Sequence, residues 1–184
     1  RFRKRIEDAT DRYALTRHSG PTIGCEKLRD TVVALKWDDW ANKADRMDIL
    51  REALNGQLAD VLSAAASIVP DLKTLPGPTG ESNQYWLVPK GGALCLGSDV
   101  NVLMSQSVQA LATGNRVVVV GPAEMAKRIK PLQEAGAPIG ALTGEVEPQA
   151  LVEGPIDVVA FSGRKEDLGS LRRALADRRG AILS

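Results

Sequence analysis

From residue 92 onwards, short apolar runs alternate with longer stretches in which apolar residues recur at helical spacing. The apolar runs are residues 93–96, 116–120, 139–142, 157–161 and 181–183, and the helical stretches are residues ~100–113, ~123–135 and ~165–178. Fully apolar strands that alternate with helices are typical of a parallel sheet with both faces covered. Right-handed crossovers then predict an α/β fold, a doubly wound, Rossmann-like parallel sheet of about five strands over residues 92–184, with helices on both faces.

The part of the chain before residue 70 has a helical pattern. Apolar residues recur at steps of three and four between Ile49 and Ala65, which predicts one long amphipathic helix that ends by Pro70. A separate initial helix is predicted around residues 2–17, with Gly20 and Pro21 as its boundary. Residues 1–70 are therefore predicted to be an N-terminal helical region.

A Pro/Gly-rich connection, residues 71–91, joins the two parts. Pro76, Gly77, Pro78 and Gly80 lie close together, a composition that excludes a regular helix or a central strand. We therefore predict an irregular path, followed by a brief extended run over residues 85–88. The three zones are expected to form one compact domain.

Composition narrows the function only slightly. The 184 residues are 43% hydrophobic and carry a net charge of +1, so overall charge suggests neither a nucleic-acid nor a membrane partner. No apolar run approaches the roughly 20 residues that a membrane span requires, and no signal peptide is recognisable. We expect a cytoplasmic protein and, since the first residue is Arg1, a fragment or a processed product.

Cysteine and histidine supply no obvious chemistry. Cys25 and Cys95 are too far apart for a zinc or redox motif, and Cys95 lies in an apolar run where a buried thiol packs well. His18 is the single histidine and has no partner nearby in sequence. No metal site is therefore expected.

The turns that follow the predicted strands are the places where a parallel sheet binds ligands. Four charged residues lie in these turns: Asp99, Glu124, Glu145 and Arg164. Acids near helix starts are commonly caps, and no nucleophile–base pair is recognisable. Two readings stay open from these residues alone: a nucleotide-binding module, and an unrelated Rossmann-like enzyme that works through Asp99, Glu145 and Arg164.

From residue 110 to residue 163 the chain resembles the coenzyme domain of aldehyde dehydrogenases. The resemblance rests on ALATGNRVVVVGPAE, EAGAPIGALTGE and DVVAFSG, in that order. The family pattern implies an oxyanion-binding Asn at the position of Gly97, a ribose-binding Lys at the position of Gly121 and a Ser at the position of Arg164. Glu124 matches the family's acidic ribose ligand. We therefore expect degenerate positions, with no catalytic and no cofactor-binding residues in this chain.

A second resemblance covers more of the chain. LPGPTGESN, the strand PKGGALCLG, and the end RRALADRRGAILS are similar to the C-terminal domain of long proline utilization A proteins. Those proteins oxidise proline to glutamate with FAD and NAD, and their C-terminal domain has the aldehyde dehydrogenase fold without catalytic residues.

That resemblance implies a non-catalytic domain that covers the dehydrogenase active site and the channelling cavity. Its partner would be the dehydrogenase domain of the same polypeptide or of a second copy, so a homo-oligomer is possible. FAD and NAD would belong to the parent protein. The alternative is an NAD(P)-binding module of an aldehyde dehydrogenase-like oxidoreductase.

Overall fold

The computed structural model describes residues 20–68 and 73–179 of the chain. Before the connection, these residues form one two-residue strand and four helices. They are β1 (Thr22–Ile23), α1 (Cys25–Ala34), α2 (Asp38–Ala41), α3 (Arg46–Ala53) and α4 (Ala59–Ile68). The predicted N-terminal helical region is confirmed for its described part, while the helix predicted at residues 2–17 lies outside the described residues.

The prediction of one long helix between Ile49 and Ala65 is wrong. The chain forms α3 and α4 instead, with a turn between them in which Asn55, Gly56 and Leu58 all have positive φ. Gly and Asn adopt this left-handed conformation most easily, and a residue in it ends a right-handed helix. The apolar stripe still packs into one core, because buried side chains from both helices belong to the same core cluster.

The Pro/Gly-rich connection contains a hairpin that the sequence did not predict. Its strands, β2 (Lys73–Leu75) and β3 (Asn83–Tyr85), pair in antiparallel register. The prolines and glycines form the loop of this hairpin, in which the Pro78 carbonyl accepts a hydrogen bond from the Glu81 amide at 3.1 Å. Every described side chain from residue 74 to residue 88 is exposed. The hairpin is therefore held by its own pairing.

Replacing Pro76 and Pro78 together by Ala should lower the free energy of unfolding by about 1 kcal/mol, because proline limits the freedom of the unfolded loop. Thermal unfolding measures the loss, and Ser82→Ala, an exposed change in the same loop, serves as the control. An unchanged melting temperature in the double variant would show that the two prolines do not constrain the loop.

The remaining strands form the centre of the molecule. They are β4 (Gly92–Gly97), β5 (Arg116–Gly121), β6 (Ile139–Thr143), β7 (Glu145–Val146) and β8 (Val158–Ser162). Four of them make a parallel sheet in the order β6-β5-β4-β8, while β7 pairs with β1. The predicted parallel sheet is confirmed, and the predicted strand at residues 181–183 lies outside the described residues.

Helices follow the strands in the predicted order. They are α5 (Val100–Ala112), α6 (Met125–Arg128), α7 (Lys130–Glu134), α8 (Pro148–Glu153) and α9 (Lys165–Ala176). The single helix expected over residues ~123–135 is two short helices, because Pro131 cannot donate the backbone hydrogen bond that would continue the first into the second. The sequence did not predict α8.

The alternation of side chains along the strands divides the core into two clusters. Cys95 and Val119 belong to the cluster that contains α3, α4 and α5, whereas Leu94, Leu96 and Val118 belong to the cluster that contains α1, α8 and α9. Neighbouring residues in a strand point to opposite faces of the sheet. Helices therefore cover both faces, as the apolar runs predicted.

The N-terminal helices also bind the end of α5. The indole Nε1 of Trp40 donates to the Leu111 carbonyl at 3.0 Å, and Nε of Arg46 donates to the Ala112 carbonyl at 2.9 Å. Both carbonyls belong to the last turn of α5, which cannot bond them within the helix. These contacts join the helical region to the sheet layer.

Candidate functional site

The strand ends lie at one edge of the sheet, as a parallel sheet requires. Gly97 pairs with Ser162, and Gly121 pairs with Thr143, at the carboxyl ends of β4, β8, β5 and β6. In α/β sheets of this kind, ligands bind at this edge. The side chains at this edge therefore decide whether the chain fits a nucleotide-binding module, an enzyme or a non-catalytic domain.

Gly97 lies where two strand ends approach each other closely. A Cβ atom at this position would be 2.7 Å from the Ser162 carbonyl oxygen and would also overlap the Ser162 hydroxyl. The hydroxyl can rotate away, but the carbonyl belongs to the backbone of β8. Position 97 therefore has no room for the amide side chain that the aldehyde dehydrogenase pattern implies there.

Gly121 is enclosed in the same way. A Cβ atom here would be 2.6 Å from Cδ1 of Leu103 and 2.8 Å from the carbonyl oxygen of Gly97. Residue 121 is itself buried at the end of β5. A lysine at this position would push α5 or β4 away. The two glycines at the edge thus pack backbone against backbone where the family pattern implies polar side chains.

Asp99 acts as a helix cap. Its Oδ1 accepts hydrogen bonds from the amides of Asn101 at 2.8 Å and Val102 at 3.1 Å, in the first turn of α5. Capping of this kind satisfies amides that have no partner within the helix. The carboxylate is therefore used to start α5.

Arg164 is bound to its own helix. Its Nε and Nη2 donate to the two carboxylate oxygens of Asp167 at 3.2 and 3.3 Å, and the Asp167 side chain is only 3% exposed. The hydrogen bond and the negative charge of Asp167 raise the pKa of the Arg164 guanidinium above its ordinary value. Arg164 thus anchors the start of α9.

The two glutamates lie in different surroundings. Glu124 is exposed at the start of the short helix α6 and makes no capping bond. Glu145 is half-buried in β7, where its amide donates to the Pro21 carbonyl at 3.1 Å. The N-terminal segment thus lies beside β7, directly after the end of β6, a contact that the sequence did not indicate. The structure places the four charged residues at the same edge, but Asp99 and Arg164 are engaged within their own elements.

The cysteines differ in their surroundings. Cys95 is fully buried in β4, and burial raises the pKa of its thiol from 9.0 to about 12, although a hydrogen bond with Ser107 acts in the opposite direction. Cys25 is half-buried at the start of α1. Cys95 therefore stays protonated at neutral pH and is a structural residue, as predicted, while His18 lies outside the described residues.

We expect one of the two cysteines, Cys25, to react with a thiol reagent in the native chain, and both to react after denaturation, because Cys95 is buried and protonated. A spectrophotometric thiol count checks this. In a Cys25→Ser variant the native count should fall to zero. Rapid labelling of Cys95 in that folded variant would contradict the assignment.

A groove that the sequence did not indicate runs between α4 and α5 and has a volume of about 260 Å³. Polar and apolar side chains from both helices line it, and Oε1 of Gln106 is buried there without a hydrogen-bond partner among the described residues. Nothing in its lining forms a nucleophile–base pair.

Two further features bear on function. Within residues 20–68 and 73–179, no three His, Cys, Asp or Glu side chains gather in a way that could hold a metal ion. None of the helices in the same ranges combines the length and apolar character that crossing a bilayer requires.

The fold is that of the aldehyde dehydrogenases. A crystal structure of salicylaldehyde dehydrogenase from Pseudomonas putida G7 superposes on 83% of this chain and 41% of its own with a TM-score of 0.66, at 18% sequence identity. At this identity the likeness shows the fold alone. No protein-family model matches the sequence.

Sequence comparison leads to a more particular group. The chain is 32% identical over 148 residues to the bifunctional protein PutA of Salmonella typhimurium and 30% identical over 146 residues to PutA of Escherichia coli. Each match covers 79% of this chain, which spans about 10% of the length of the curated relatives. The chain is thus an aldehyde-dehydrogenase-fold segment of the PutA type.

Proposed function

We propose that this chain is a non-catalytic domain of a bifunctional proline dehydrogenase and L-glutamate γ-semialdehyde dehydrogenase. The single observation that carries this proposal is the closed packing at Gly97 and Gly121. An aldehyde dehydrogenase site needs polar side chains where these glycines pack against Ser162 and Leu103. The PutA relatives support the choice of parent protein.

We propose that the domain covers the dehydrogenase active site and the channelling cavity of the parent. Four consecutive exposed apolar residues at the end of the hairpin, residues 85–88, support packing against another domain. Within this segment Trp86 is 56% exposed and Val88 is 69% exposed. Contiguous apolar surface of this kind commonly marks a protein contact. The proposed partner is the dehydrogenase domain of the same polypeptide or of a second copy, in a cytoplasmic homo-oligomer.

FAD and NAD belong, in this proposal, to the other domains of the parent. This chain would form one side of the channelling cavity, where it excludes water and keeps the semialdehyde intermediate from leaving the cavity. The substrate of the dehydrogenase would meet this domain only as a surface of the cavity, so no residue of the chain takes part in a bond-making step.

The experiment that tests the proposal uses the full-length protein that carries this chain. Trp86→Ser combined with Val88→Ser should reduce the coupled conversion of proline to glutamate several-fold and leave proline oxidation and the oxidation of added semialdehyde near their original rates. Val33→Ser, which changes a valine that is 65% exposed on α1, is the matched control. Equal coupled rates in the double variant and the control would contradict the proposed contact.

The second candidate is an NAD(P)-binding module. Glu124 favours it, because this exposed acid matches the position of the family's acidic ribose ligand. Its carboxylate does not cap helix α6. Coenzyme titration separates the two candidates directly.

A further inference from the structure

We propose that the Asn55–Gly56 pair is a site of spontaneous backbone modification, at which the asparagine side chain is converted through a cyclic imide into aspartate and isoaspartate. The sequence contains the Asn-Gly pair once, at this position. Glycine has no side chain to block the approach of its own amide nitrogen to the preceding side chain. The pair lies in the turn between α3 and α4.

The two central residues of the turn, Asn55 and Gly56, are exposed, whereas the flanking Leu54 and Leu58 pack into the core. In this turn the Leu54 carbonyl accepts a hydrogen bond from the Gln57 amide at 2.9 Å, and the φ angles of 47° at Asn55 and 78° at Gly56 are both positive, as in a type I′ turn. Both central residues are exposed, and a Cβ atom on Gly56 would meet nothing within 4 Å. One backbone hydrogen bond spans the two central residues, so Asn55 and Gly56 can leave the turn conformation while Leu54 and Leu58 stay packed.

The attacking group is available. Among the described residues, no backbone carbonyl accepts a hydrogen bond from the Gly56 amide. The neighbouring amides of Asn55 and Gln57, in contrast, donate to the carbonyls of Glu52 and Leu54 at 3.0 and 2.9 Å. Opening the turn frees the Asn55 side chain to reach the Gly56 nitrogen without breaking any bond of that nitrogen.

The reaction balances with water as its one co-reactant. The Gly56 nitrogen forms a bond to Cγ of Asn55, the bond from Cγ to Nδ2 breaks, and the amide proton leaves with ammonia. Water then opens the cyclic imide at either carbonyl. Opening at the backbone carbonyl gives isoaspartate, in which the chain runs through the former side chain, and opening at the side-chain carbonyl gives aspartate.

Both products alter the junction between two core helices. Each adds a negative charge to a segment that already carries Glu52 and Asp60, and isoaspartate adds a carbon to the backbone of a turn that has a defined geometry. The turn sets the positions of Leu50 and Leu62, both fully buried in one core cluster. The modified chain is therefore expected to melt at a lower temperature.

The test follows the full chain during incubation under native conditions at mildly alkaline pH. Peptide mass spectrometry compares the loss of amide at Asn55 with the loss at Asn42 and Asn101, which are also exposed. Asn55 should lose its amide several times faster than either, and an isoaspartyl methyltransferase should label the same peptide. Asn55→Gly is the matched variant, because glycine adopts the positive φ of this position without strain.

Two results decide the proposal. It is supported if Asn55 loses its amide first and if the melting temperature falls with incubation in the original chain but not in the Asn55→Gly variant. Amide loss at Asn55 that is no faster than at Asn42 in the native chain overturns it, and so does loss that occurs only in denaturant, because the native turn would then protect the pair.

Discussion

Replacing Asn115 by Ala is expected to lower the free energy of unfolding by roughly 3 kcal/mol, because it removes the hydrogen bonds of a buried side chain, among them the one that satisfies the buried Gly91 amide. The Asn115 side chain accepts from the amides of Lys90 and Gly91 at 2.9 and 3.0 Å. It also donates to the Ala110 carbonyl at 3.1 Å and to the Thr113 hydroxyl at 3.0 Å. One side chain thus connects the end of α5 to the segment that enters β4.

Urea unfolding of the two chains measures the effect. Asn101→Ala is the matched control, since Asn101 is exposed on α5, and we expect it to change the free energy of unfolding by no more than about 0.5 kcal/mol. An Asn115 variant that is as stable as this control would show that the four hydrogen bonds do not stabilise the segment that enters β4.

The second large effect is expected at Gly97. Gly97→Ala should destabilise the chain by about 3 kcal/mol, at the upper end of the usual cost of overpacking, because the new methyl group can be accommodated only by moving β4 or β8. The matched control is Gly169→Ala. Gly169 lies inside α9, where a Cβ atom would come no nearer than 3.8 Å to Nη1 of Arg173, so alanine should stabilise the helix slightly.

The same comparison bears on function. Gly97→Asn would return the amide that the aldehyde dehydrogenase pattern implies, yet it carries the same Cβ atom and should be at least as unstable. If Gly97→Ala proved as stable as Gly169→Ala, the strand ends would have room for side chains, and the steric argument against a catalytic site would fail.

The strand–helix alternation after residue 92 was sufficient to predict the parallel sheet, because fully apolar strands need cover on both faces. The break at Asn55–Gly56 was missed for a physical reason: the apolar spacing continues across it, and periodicity alone does not report backbone conformation. The hairpin was missed because its paired residues are mostly polar and its loop is rich in proline and glycine.

The candidate site was predictable in its residues but not in its packing. The resemblance to aldehyde dehydrogenases identified Gly97 and Gly121 as positions where side chains are missing. At these positions Ser162, Leu103 and the neighbouring strand occupy the space that a side chain would need. This packing could not be predicted, because it depends on contacts between residues far apart in sequence. The hydrogen bond from the Glu145 amide to the Pro21 carbonyl, just after the end of β6, is another such contact.

The measurement that tests the central claim most directly is calorimetric titration of the purified chain with NAD, combined with an assay of NAD reduction in the presence of glutamate semialdehyde. A non-catalytic domain predicts no binding heat at millimolar coenzyme and no semialdehyde-dependent NADH. Micromolar affinity for NAD, or turnover at an enzyme-like rate, would contradict the account and favour the coenzyme-binding alternative.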